Sequence, residues 1–135
     1  MKLLFDTNVI LDILLKRKEF YFDSFGSFGK ALRKHDKVYI ASTSINDIYY
    51  FLKKGLNDKQ ACTNVLIKLL NVSNVATVDE KVIYSAIISD LNDFEDSIIS
   101  EAAKNVKANY IITRNTKDFK KSKIKAITPL QYLAL

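Results

Sequence analysis

A chain of 135 residues is long enough to fold as one domain without covalent staples, and Cys62, the sole cysteine, rules out a disulfide scaffold. No stretch approaches the ~20 apolar residues needed to cross a bilayer. The apolar start MKLLF is interrupted by Asp6, Asn8 and Asp12 with no small-residue cleavage site after it, so neither a membrane segment nor a secretory leader is expected and the cytoplasm is the expected compartment. Lysine and arginine outnumber aspartate and glutamate by 21 to 15, a formal charge of +6 that suits a polyanionic partner and equally serves solubility.

In chain order, Lys2 to Phe5 predicts a buried strand, and Val9, Ile10, Ile13 and Leu14 then recur at helical spacing behind Thr7 or Asn8 as the cap. Phe20 to Lys34 predicts a helix with apolar positions near a 3.6-residue period, although Gly26 and Gly29 weaken it. Val38 to Ala41 predicts a short strand. A helix follows, capped within Ser42 to Ser44 and running to about Lys54, with Gly55 as its stop signal. Asn57 or Asp58 caps the next helix, to about Leu70. Val72 to Val78 is strand-like, Asp79 opens a helix to about Ser89, and Asp93 caps another over Phe94 to Val106. Asn109 to Thr113 and Ile124 to Ile127 predict strands, and Pro129 opens a short terminal helix.

This order predicts a single α/β domain over residues 1–135, with a mainly parallel central sheet of about five strands and helices on both faces. His35 lies in the charged run Arg33 to Asp36 and is expected at the surface, which leaves Ser-His-Asp and Cys-His chemistry without support. Cys62, between Ala61 and Thr63 in a helical pattern, reads as a small buried hydrophobe.

Acidic and amide groups recur at strand ends and helix starts. Asp6 ends the first strand, where the crevice of an open parallel sheet binds ligands, although an aspartate there also serves as an ordinary cap. Asp47 falls in the first turns of its helix, where an acid also answers the helix dipole. Asp93 and Asp96 form an acid-x-x-acid pair that a capping box would equally explain. Asp96, however, shares a helical face with Ile99, Ser100 and Ala103, and a carboxylate on a buried face is costly unless a cation or hydrogen bonds compensate. Asn115 follows its strand as Asp6 follows the first, with Asp118 close behind. Two carboxylates ~4 Å apart repel by roughly 4 kcal/mol at an effective dielectric of 20, and magnesium or manganese, which take oxygen ligands, would relieve that repulsion.

The segments FDTNVILD, STSINDIYYFLKK, DFEDSIISEAAKNVKANYIITRN and TKDF, in that order, resemble the PIN-domain family, in particular the VapC-like toxin ribonucleases of VapBC-type toxin–antitoxin modules. The resemblance implies a Mg2+- or Mn2+-dependent ribonuclease that hydrolyses RNA phosphodiesters with metal-activated water. It implies Asp6, Asp47 and Asp96 as catalytic and metal-holding acids, with Asn8, Asp93, Thr113, Asn115 and Asp118 as orienting neighbours. Two departures stand out: the central acid is more usually Glu than Asp47, and Asn115 stands where many relatives carry a fourth acid. An antitoxin protein and a homodimer are the partners the resemblance implies. Arg114, Lys117, Lys120, Lys121, Lys123 and Lys125 supply cations beside Asn115, and the first four are the candidate RNA contacts.

Two other classes compete. Haloacid-dehalogenase-like phosphatases also place an aspartate at a strand end, but they use Asp-x-Asp where this chain has Asp6, Thr7, Asn8. A catalytically weak or inactive PIN-like module that binds RNA or protein is the alternative to an enzyme.

Overall fold

The strands β1 (Lys2–Phe5), β2 (Lys37–Ala41), β3 (Asn74–Ala76), β4 (Tyr110–Ile112) and β5 (Ala126–Ile127) pair into one sheet in a computed structural model that describes residues 1–135. Their order is β3-β2-β1-β4-β5, and every pairing is parallel, with Leu3 opposite both Val38 and Tyr110. Parallel neighbours need long crossovers, and the helices provide them. On the way to β2 lie α1 (Thr7–Leu14) and α2 (Tyr21–Arg33); on the way to β3 lie α3 (Ser42–Leu56) and α4 (Lys59–Val72). The connection to β4 holds α5 (Glu80–Ile87) and α6 (Phe94–Asn105), a 3-10 turn (Thr116–Phe119) precedes β5, and α7 (Pro129–Leu133) ends the chain.

The two-residue period of the strands splits the core into two layers. Leu3, Phe5, Val38, Ile40 and Ile112 pack with Val9, Ile10, Ala31, Ile48, Leu52 and Tyr132 from α1, α2, α3 and α7. Leu4, Ala41 and Ile111 face the other way, against Val82, Ile99, Ala102 and Ala103 from α5 and α6. Burial on both faces explains why β1 is a continuous apolar run rather than an alternating one.

From β1 the chain builds outward through β2 to β3, then returns to the far side of β1 for β4 and β5. The reversal falls between β1 and β4, and the crevice outside the carboxyl ends of the strands at that reversal is the expected ligand position in such sheets. Asp6 closes β1 there, and Thr113 to Asn115 leave β4 beside it.

Cys62 is fully buried in the first core layer and His35 is exposed. Four local expectations are revised. Asp6 itself, not Thr7 or Asn8, caps α1, accepting the Thr7 N–H at 2.8 Å. No side chain caps α3 within Ser42 to Ser44, because the Ser42 hydroxyl accepts the Val78 N–H at 2.9 Å and the Ser44 hydroxyl is taken by Thr7 at 2.7 Å. α3 runs through Gly55; Asn57, tolerant of the left-handed region, takes φ 49 and terminates it by donating its N–H to the Lys53 carbonyl. β3 is shorter than Val72 to Val78, since α4 extends through Val72 and only Asn74–Ala76 finds partners on β2.

Ile48 is fully buried under the helix that carries Asp47. Ile48→Ala is expected to lower the unfolding free energy by about 2–5 kcal/mol, read from urea denaturation of the purified chain.

Candidate active site

Asp6 is held from several sides. Its backbone N–H donates to the Ile112 carbonyl at 2.9 Å, carrying the β1–β4 pairing one residue past the strand. Its Oδ1 accepts from the Thr7 N–H, and its Oδ2 accepts from the buried Thr113 hydroxyl at 2.8 Å. That hydroxyl also accepts the Asn115 N–H at 3.1 Å, so the corner after β4 is tied to the acid that ends β1. Thr7 in turn donates to Ser44 at the start of α3. The ends of β1, β2 and β4 thereby share one small hydrogen-bonded frame.

Around this frame opens a cleft of about 590 Å³ lined by Asp6, Asn8, Asp47, Glu95, Asp96 and Asn115, with Thr7, Thr43, Ser44, Asn46, Leu11, Phe51 and Ile99 completing its walls. Asp47 reaches it from α3 and Asp96 from α6, helices that pack on opposite faces of the sheet. A smaller adjoining cleft of about 250 Å³ shares Asp96 and brings in Asp93, Asp118, Lys117, Lys120 and Lys121. Asp93 caps α6 by accepting the Asp96 N–H at 3.0 Å, which fixes where Asp96 starts. The neighbours of Asp96 one turn on, Ile99, Ser100 and Ala103, are buried, and Asp96 itself is half-buried. Thr113 lies beneath the clefts rather than on their walls.

Asp6 and Asp96 are crowded by other acids and lack ion-pair partners, whereas Asp47 stands exposed on the opposite wall. Burial raises the pKa of Asp6, opposed by its hydrogen bonds from Thr113 and Thr7 and by the charge of Arg114. Asp96 is pushed up to about 7, first by burial and then by the charges of Asp93, Asp6, Asp118 and Glu95. No lysine or arginine forms an ion pair with any of these acids, although the chain carries 21 basic residues. Cations are instead directed to Asp12, which is fully buried in α1. Arg114 forks onto it with Nε–Oδ2 at 3.0 Å and Nη2–Oδ1 at 3.2 Å, and Arg17 approaches at 3.5 Å.

Asp12 and Glu95 are the two acids here that sequence reasoning misses. An acid embedded in the buried stripe Val9, Ile10, Leu11 demands a cation partner, and that demand is the available signal for Asp12. Glu95 lies next to Asp96 and differs from it by no periodicity rule that sequence alone supplies. Arg114, among the candidate RNA contacts, has two donors engaged by Asp12 and its guanidinium carbon 3.8 Å from the centre of the Phe20 ring.

The donor set around Asp6 is all oxygen, which suits a hard divalent ion. No three acids converge closely enough to form a ready-made cage. The arrangement therefore fits magnesium-type binding, in which one or two carboxylates hold an ion that keeps several waters.

A PIN domain family model matches residues 2–117, and the chain belongs to that family. A comparison of the sequence with curated proteins finds no match. Its fold is similar to that of a chain of VapBC2 from Rickettsia felis bound to a DNA fragment from their promoter, with TM-score 0.72, 16% identity and coverage of 95% of this chain and 98% of that one. A toxin–antitoxin complex from Klebsiella pneumoniae gives TM-score 0.68 at 22% identity over 93% and 96% of the two chains. VapBC-1 from nontypeable Haemophilus influenzae gives 0.63 at 17% over 96% and 99%.

Without metal, the folded chain keeps the Asp96 proton up to about pH 7, whereas the unfolded chain loses it in the ordinary aspartate range. Between those values the unfolded state binds fewer protons, so stability falls as pH rises. Thermal melts in chelator are expected to show Asp96→Asn melting above the wild type at about pH 8, with the difference closing as the pH is lowered towards ~4.

Proposed function

We propose that this chain is a divalent-metal-dependent ribonuclease and the toxin of a toxin–antitoxin module. The observation that carries the reading is the buried Asp6 and half-buried Asp96 at the β1–β4 reversal, raised in pKa by burial and by neighbouring acids and left without ion-pair partners in a strongly basic chain. Of Asp6, Asp47 and Asp96, which line one cleft without converging on a single point, one or two would hold the ion, Mg2+ or Mn2+, directly and the remainder through its waters, with Glu95 on the same wall as Asp96. When bound, the ion supplies charge neutralisation at phosphate oxygens and activates water.

The chain's own residues do the rest. Thr113 and the Thr7 N–H fix the Asp6 carboxylate, and Asp93 fixes the start of α6 beneath Asp96. Asp96 would give up its proton to a bound cation, whose charge offsets both the burial that chiefly raises its pKa and the repulsion from its acidic neighbours. Asn8, Asn115 and Asp118 orient ligands or solvent at the rim. α3 begins without a side-chain cap, and its first residues line the cleft, an arrangement that favours a phosphate beside them. Lys117, Lys120 and Lys121 lead RNA towards Asp96 through the adjoining cleft, while Arg114 has its fork committed to Asp12.

The toxin assignment draws on the family and on folds shared with chains of toxin–antitoxin complexes. It carries with it an antitoxin partner, a homodimer and a cytoplasmic site of action. No helix is long and apolar enough to cross a membrane. Asn115 in place of an acid, together with Asp47 in place of the longer glutamate, favours the second reading, a PIN-like module that binds RNA or a protein partner without turnover.

Cleavage of a mixed panel of structured and single-stranded RNAs separates the two. The expected outcome is cutting with Mg2+ or Mn2+, none in chelator, and at least about a hundredfold loss in Asp6→Asn and in Asp96→Asn matched for folding. Intact RNA binding with no cleavage under any metal, after removal of co-purified inhibitor, would instead establish the module. For the lysines, Lys120→Ala with Lys121→Ala is expected to weaken RNA binding and flatten the slope of log affinity against log salt by about 0.7 for each phosphate no longer neutralised.

A further inference from the structure

Asp12 lies outside the cleft, yet it organises the basic side chains nearest to it. It is fully buried, and its two oxygens receive the Arg114 fork, the Ser24 hydroxyl at 3.0 Å and Arg17 at 3.5 Å. Arg114 is the residue between Thr113, which donates to Asp6, and Asn115. The same guanidinium lies over the Phe20 ring, so both its edge and its face are occupied away from the acids. Arg17 bridges from Asp12 to the Asn8 side chain at 3.3 Å. Thus the arginines nearest the cleft acids are turned towards one buried carboxylate, and the cleft acids remain unpaired.

We infer that Asp12 is a positioning residue that withholds Arg114 from the acidic cleft, keeping Asp6 and its neighbours free for a divalent ion. The inference rests on the metal reading proposed above. Two observations support it beyond the contacts themselves. Arg114 adjoins Thr113 in the chain, and its charge is already felt at Asp6 from where it stands. A cation released from Asp12 at that position is drawn to the nearest uncompensated carboxylates, where it competes with the ion for the same charge.

The test is direct binding of Mn2+ to the full chain, followed through the electron paramagnetic resonance of free Mn2+, for wild type, Asp12→Asn and the double variant Asp12→Asn with Arg114→Gln. Asp12→Asn is expected to weaken Mn2+ binding about tenfold. The double variant, which removes the released cation as well, is expected to bind within about threefold of wild type. A purely structural role for Asp12 predicts the opposite order, with the double variant no better than the single one, and that result overturns the inference.

Where Asp12→Asn fails to fold, the Arg114 Nε–H resonance of the wild-type chain decides. It is expected to exchange slowly with water and to keep its position between the metal-free and the Mg2+-saturated protein. Fast exchange in the metal-free chain would show Arg114 already released and would also overturn it. Lack of Mn2+ binding by the wild type refutes the metal reading and the inference together, whereas wild-type binding unchanged in a folded Asp12→Asn refutes the inference alone.

Discussion

A single carboxylate at the end of the central strand sets the terms for the rest of this molecule. Asp6 terminates the most buried strand, caps the first helix, and receives the hydroxyl that orders the corner after β4. Each of these tasks alone is ordinary. Together they place a desolvated acid where the strand order reverses, and neither the cap nor the threonine bond cancels the upward push of burial on its pKa. The register of β1 against β4, with Phe5 opposite Ile112, makes this possible, because it sets Asp6 and Thr113 side by side one residue past the paired strands. A slip of one residue would turn Thr113 to the other face of the sheet and leave Asp6 without its second partner.

Charge is distributed against the simplest expectation for a basic chain. An acid among many lysines usually finds one, since an exposed pair costs little to form, even if it is worth only about 0–1 kcal/mol. Here the cleft acids find none, and the bidentate pair goes to Asp12, which lines neither of the two clefts. Breaking a buried pair from one side costs about 3–5 kcal/mol, so the Arg114 fork is strongly held. The lysines of the 3-10 turn and the segment after it stay exposed at the rim of the adjoining cleft rather than closing over Asp96. Repulsion among the acids is thereby retained in the folded state, and no side chain of the chain pairs with them to remove it.

Element types are legible in the sequence because their periods are strong. The run LLF and the pair Ile111 and Ile112 are buried on alternate faces, and the amphipathic stretches of α1, α3 and α6 fall as their spacing dictates. Boundaries are less legible, for reasons that are tertiary. Nothing local tells Ser42 and Ser44 to commit their hydroxyls to Val78 and Thr7 instead of capping α3, and nothing local limits β3 to the three residues that β2 can pair. The site follows the same division. Asp6 and Asn115 are readable as strand-end residues, and Asp96 as an acid on a buried face. The partnership of Asp12 with Arg114 spans 102 residues and is readable only as a demand, a buried acid in need of a cation, with no indication of which arginine answers it.

The loose spacing of the acids also bears on how a nuclease of this kind would use its metal. A preformed cage of three carboxylates binds an ion before substrate arrives, whereas one or two carboxylates leave most of the coordination shell to water and phosphate oxygens. In this chain no three acids converge on one point, and on the metal reading the shorter Asp47 and the neutral Asn115 would both reduce the charge and reach offered to an ion. On the ribonuclease reading, the ion and the scissile phosphate then complete each other's binding. The acids contribute enough negative charge to attract the cation, and the basic rim contributes enough positive charge to tolerate the RNA. On that reading the cation alone would offset the repulsion among the acids, and phosphate oxygens would then fill coordination positions that the protein leaves to water.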